Sequence, residues 1–172
     1  MGLSTFQGPV RSLNGFIGQG PGTVVVNNAA TLTLDPLVHG GRIIVITAAT
    51  TTITLPAVNV TADPNSSGPG SDPNTSNNQG VLYTFVNTVT ATAIKVITGS
   101  GNFLLGSAMV SAATPSAFFA DGSATRSINL NGTTTGGIVG SFFTIQAIAA
   151  NQYLVRAELS GSGVLATPFA NS

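Results

Sequence analysis

Apolar and polar residues trade places at every step in short stretches along this sequence, and a period of two confines such stretches to strands. In "TTITLP" (Thr51 to Pro56), Ile53 and Leu55 fall on one side and threonines on the other. "VLYTFVN" (Val81 to Asn87) puts Val81, Tyr83 and Phe85 on one face, and "TAIKVIT" (Thr92 to Thr98) does the same with Ile94 and Val96, leaving Lys95 outward. "TVVV" (Thr23 to Val26), "TLTL" (Thr31 to Leu34), "TRSINL" (Thr125 to Leu130), "SFFTIQAIA" (Ser141 to Ala149) and "YLVRAEL" (Tyr153 to Leu159) extend the series. "RIIVIT" (Arg42 to Thr47) holds a continuous apolar run, as expected of a strand covered on both faces. Ala150, Asn151 and Gln152 form a short hairpin connection between the last two long strands. The best helical candidate, "SAMVSAAT" (Ser107 to Thr114), is short and is stopped by Pro115. About eight to ten short strands divided by Gly, Asn and Pro turns predict an all-β chain: a β-sandwich, jelly-roll-like, or a related barrel.

Two segments break the pattern. "TFQGPVRSLNGFIGQGPG" (Thr5 to Gly22) has five glycines, two prolines and no period. Gly15, Gly18, Gly20 and Gly22 argue against a strand. Glycine or a polar residue interrupts every apolar run, so it does not read as a signal peptide either. "TADPNSSGPGSDPNTSNNQG" (Thr61 to Gly80) repeats Asp-Pro-Asn at Asp63 and Asp72 and has too little apolar surface to order itself. The expected organisation is an extended N-terminal arm over 1–22 and a single β-domain over 23–172, with a flexible insertion at 61–80. That insertion is either functional or tolerated decoration.

Charge then limits function. Asp, Glu, Lys and Arg make up 6% of the chain, five of each sign, against about 25% in an ordinary soluble domain. Threonine, serine and asparagine supply the polar surface instead. A chain with no net charge is poorly protected against association, which suits a working state that is an assembly. Five scattered cations cannot build a basic patch, so nucleic acid is not an expected partner. No apolar run approaches the 18 or so residues of a spanning helix, so no membrane is expected. With no cysteine, disulfides and thiol chemistry are excluded.

Reactive groups are scarce. His39, the one histidine, lies in "DPLVHGGR" four residues after Asp35, and no serine lies in a Gly-x-Ser-x-Gly elbow. His39 is therefore read as structural. Paired carboxylates for glycoside hydrolysis have to come from Asp35, Asp63, Asp72, Asp121 and Glu158. Glu158 alternates with Arg156 on the outer face of a strand, which fits surface electrostatics better. Zinc lacks its ligands, and the Asp63–Asn65 and Asp72–Asn74 triplets lack the alternating oxygens of a calcium loop. The glycine clusters at Gly18 to Gly22, Gly99 to Gly101 and Gly161 to Gly163 precede no helix and read as turns, not phosphate loops. Sequons at Asn59, Asn65, Asn74 and Asn131 are what an Asn-, Ser- and Thr-rich chain produces by chance. No enzyme activity, cofactor or metal is expected.

Several segments carry a resemblance. "DPLVHGGRIIVITAATTTITLPA", "INLNGTTTGGIVGSFFTIQAIAANQYLVRAEL", the closing "GSGVLATPF" and the opening "GPVRSLNGF" resemble small β-rich virion structural proteins of tailed phages, notably marine ones. The likeness covers most of the chain outside 61–80 and rests on apolar, Gly and Thr patterns. It implies a capsid decoration (cement) protein at the virion surface, assembled in the host cytoplasm. The implied partners are the major capsid protein and sister subunits in a homotrimer, and no catalytic residue carries over.

On this view the arm is a clamp: Phe6, Val10, Leu13, Phe16 and Ile17 anchor it to the capsid or a neighbouring subunit, with Arg11 on an acidic group. Each anchor could contribute about 1.5–3 kcal/mol before ordering costs. The alternative is an arm packed on its own domain as an edge strand. In the tail, Leu165, Pro168 and Phe169 either dock on a sister subunit or form a closing strand of the same domain. The rival to decoration is a head-fibre or tail-fibre adhesive module for host glycans. The absence of Trp, and the placement of Tyr83 and Tyr153 on expected core faces, speak against it.

Overall fold

The structure is a computed structural model and describes residues 24–60 and 78–172. Its strands are β1 (Val24–Asn27), β2 (Thr31–Thr33), β3 (Ile43–Ile46), β4 (Thr50–Thr54), β5 (Leu82–Asn87) and β6 (Ala93–Ile97), followed by β7 (Phe103–Ser111), β8 (Ser116–Asp121), β9 (Ser127–Leu130), β10 (Phe142–Ala149), β11 (Gln152–Ser160) and β12 (Phe169–Ala170). One helical turn, α1 (Pro36–His39), precedes β3. The chain is all-β, as the alternation predicts. The segment with the best helical pattern lies mostly inside β7, which is held between β11 on one side and β8 on the other. Pairing on both sides overrides a weak local preference for helix.

The strands form two sheets, ordered β1-β3-β5-β10-β11-β7-β8 and β12-β9-β6-β4-β2. From β1 to β6 the chain alternates between them, and each strand lies parallel to the previous one in its sheet. These six strands therefore make three rungs of a flattened coil. The registers run Val24 to Ile43 to Thr84 in one sheet and Thr31 to Thr52 to Lys95 in the other. The first steps are 19 and 21 residues and the next are 41 and 43. The excess in the later steps matches the 61–80 insertion, which enlarges one loop of a regular rung. At its base, Asn78 N–H donates to Asn59 O (2.9 Å) and Asn59 N–H donates to Asn78 Oδ1 (2.8 Å). The later strands pair mainly antiparallel, and β10 and β11 form the expected hairpin with Asn151 in the left-handed region (φ 61°).

One apolar core lies between the sheets. Leu32, Ile53, Val96, Ile128 and Phe169 sit in one row across the smaller sheet. From the larger sheet, Phe85 and Phe143 face each other as stacked rings, centroids 4.6 Å apart. Tyr83 and Tyr153 are fully buried, and burial raises the pKa of both hydroxyls. Tyr153 donates to Pro56 O at 2.7 Å, tying β11 to the segment after β4. Gly106, at φ 129°, lets β7 pass β11 closely; a Cβ there would meet Val155 O at 2.1 Å. At one end of the coil, buried Asn27 and Asn87 flank Ile46 in register, and Asn27 Nδ2 donates to Thr51 Oγ1 (3.2 Å).

One expectation is corrected here. The "RIIVIT" strand is not covered on both faces: Ile44 and Ile46 are buried, but Ile43 is 38% exposed and Val45 half-buried. Of the two readings of the tail, the fold contains the closing strand, β12 on β9. Pro168 and Phe169 are buried and Leu165 is half-buried against the core, so they close the smaller sheet of their own chain. Asn129 N–H donates to Pro168 O (2.7 Å), and Arg126 N–H donates to Ala170 O (2.8 Å). The arm residues Phe6, Val10, Arg11, Leu13, Phe16 and Ile17 lie outside the described residues.

Candidate interaction surface

Among the described residues, the titratable groups named from the sequence are dispersed. His39 ends α1 and is 8% exposed. Its Nδ1 accepts the Asp35 backbone N–H at 2.9 Å, while the His39 backbone N–H donates to Asp35 O at 2.8 Å. The ring thus closes the helical turn that Asp35 opens. Asp121 Oδ1 accepts the backbone N–H groups of Ser123, Ala124 and Thr125 at 2.9–3.0 Å, and these bonds hold the carboxyl well below the usual carboxylate range. It organises the turn after β8.

Glu158 and Arg156 are exposed on β11, as their alternation predicts. Asp121 is opposite Leu105 and Glu158 beside Met109, so the two carboxylates lie about 13 Å apart along β7. That exceeds the 5–9.5 Å or so between the paired carboxyls of glycosidases. Asp63, Asp72, Asn65 and Asn74 lie outside the described residues, among which no cluster of three metal-binding side chains occurs.

The distinctive surface is the outer face of the seven-stranded sheet. Two neighbouring ranks of side chains cross it. The first runs from Val24 and Ile43 through Thr84, Thr144 and Arg156 to Ser107 and Phe119. The second begins Val26, Val45, Val86 and Phe142, then reaches Glu158, Met109 and Ala117. Arg156 and Glu158 are the only charges in the two ranks. Val26 is 62% exposed and Phe119 77%. A groove of about 410 Å³ opens between the ranks on β10, β11 and β7, lined by Phe142, Thr144, Arg156, Glu158, Ser107 and Met109.

The other sheet's outer face is different in kind. Thr31, Thr52, Lys95 and Asn129 share one rank there, and Thr33, Thr54 and the half-buried Ile97 stand in the next. A solvated face of the usual sort carries such hydroxyls and amides. A contiguous apolar face marks a contact surface instead. Sequence reasoning assigned the continuous apolar run "RIIVIT" to cover within the chain, and read "TVVV" only as a strand. The signal that finds this face is the same runs, read as strands whose second apolar side is left for a partner.

The chain matches no protein-family model, no curated protein sequence and no solved structure.

Proposed function

We propose that this chain is a non-enzymatic virion structural protein, a capsid decoration protein that binds the major capsid protein lattice and copies of itself, and so stabilises the shell from outside. The observation that carries the reading is the wide apolar outer face of the seven-stranded sheet, on a chain with very few charges. Lasting assemblies join through apolar surface of this sort. The dispersed titratable groups fit the same reading, since acid–base work needs them brought together. The N-terminal arm supplies the second attachment, reaching the capsid with Phe6, Val10, Arg11, Leu13, Phe16 and Ile17. It leaves the domain at β1, an edge strand of the same sheet.

An adhesive module finds less to work with. Both tyrosines are fully buried and the chain has no tryptophan, so a sugar-stacking platform would have to be built from phenylalanine.

The test is co-sedimentation with empty shells assembled from the major capsid protein of the same genome. The full chain is expected to pellet with the shells, and a chain lacking residues 1–20 to stay folded but remain in the supernatant. If the truncated chain pellets equally, the arm is not the clamp. If neither pellets, the decoration reading fails.

A further inference from the structure

The two ranks on the seven-stranded sheet have an internal order. On three adjacent strands each pair of neighbours along the strand is opposite in character: Phe142 and Thr144 on β10, Glu158 and Arg156 on β11, Met109 and Ser107 on β7. On each of these strands, one rank holds what the other lacks.

We propose that a second copy of this chain covers this face, turned over about a twofold axis that lies in the contact plane and crosses the strands between the two ranks. Such an axis lays each rank of one protomer over the other rank of its partner. Arg156 then meets the partner's Glu158, and Glu158 meets the partner's Arg156. Phe142 comes over the partner's Thr144 and Met109 over the partner's Ser107, long side chain over short, with the 410 Å³ groove as the room they enter.

Towards the sheet edge the same rotation brings Val24 and Ile43 onto apolar neighbours. An unrelated protein would have to evolve the complementary charge order; a second copy supplies it by symmetry. Packed sheets cross at about 30°, so the match is tightest around one point, and the charge pair lies next to the central strand of the seven. The inference does not depend on what the assembly decorates. It replaces the threefold implied by resemblance with a reciprocal pair.

Two single charge reversals test it. Arg156→Glu sets Glu against Glu at both contacts, and Glu158→Arg sets Arg against Arg. Mixing the two variants sets opposite charges at both contacts again. By light scattering over a concentration series, the wild-type chain is expected to have the mass of two chains. Each variant alone should associate at least about tenfold more weakly, and the mixture should return to wild-type behaviour.

A mixture that stays dissociated overturns the proposal, because a capsid surface cannot be rescued by mixing and a ring of three always keeps one like-charge contact. A wild-type chain that stays single at every concentration also overturns it. Both positions are exposed, so the single chain should still fold, with an unchanged far-ultraviolet circular dichroism spectrum, and its melting temperature should fall only by what the lost pairing contributed. If a variant fails to fold, Ser107→Cys mixed with Met109→Cys decides instead, since the chain has no other cysteine. A short bismaleimide should join the mixed pair faster than either variant joins itself, and equal rates overturn the proposal. A wild-type chain that pairs but does not bind capsid shells counts against the decoration reading alone.

Discussion

Asp121 shows how this chain uses its few charges. The carboxylate is exposed and accepts three backbone N–H groups and the Ser123 hydroxyl, which fixes a turn. Its pKa is lower in the folded chain than the ordinary 3.8, so its contribution to stability is present above that value and is lost as acid protonates the folded carboxyl. Asp121→Ala is expected to lower the melting temperature at pH 7, and the gap to wild type to narrow as pH falls below 3.8; a gap constant with pH contradicts this role. His39 and the Arg156–Glu158 alternation were legible in the sequence, because a lone histidine beside a turn and alternating charges on a strand have few other uses. Asp121's backbone partners were not, since they depend on how the chain turns after β8.

At the scale of elements, the tail and the insertion behave differently from one another. Phe169 completes a core row through β12, so Phe169→Ala is expected to cost about 3 kcal/mol in urea denaturation while leaving the oligomeric mass of the folded chain unchanged. A change in mass with no loss of stability would return this residue to an interface.

The insertion is pinched at its base by Asn59 and Asn78. Replacing residues 61–77 with a two-residue Asn-Gly link is therefore expected to leave the melting temperature unchanged or raised, because a shorter loop costs less to close. A large drop would mean that the insertion supports the rung it interrupts.

Most strands were legible from alternation. The three-rung coil was not, because its rungs match in register rather than residue type: "TLT", "TTTIT" and "AIKVI" share a rank pattern but hardly a sequence. The edge strand β8 was hidden for another reason. "SAFFAD" has no β-branched residue and no clean alternation, and it is placed by its pairing with β7.

The whole molecule is a two-sheet sandwich with unlike outer faces, one mainly of threonine, lysine and asparagine and one largely apolar, with the opposite charges Arg156 and Glu158 near its middle and Asp121 at its β8 edge. Its low charge content was plain in the sequence and pointed to assembly. Which surface does the assembling needed the fold, because only the sheet order brings Val26, Phe142 and Met109 into one rank. A cryo-EM map of capsids carrying the chain tests the account most directly. The account expects the chain on the outer surface of the shell, its arm on the major capsid protein and the outer face of the seven-stranded sheet covered by a second copy. Shells without added density, or bound chains with that face bare to solvent, would contradict it.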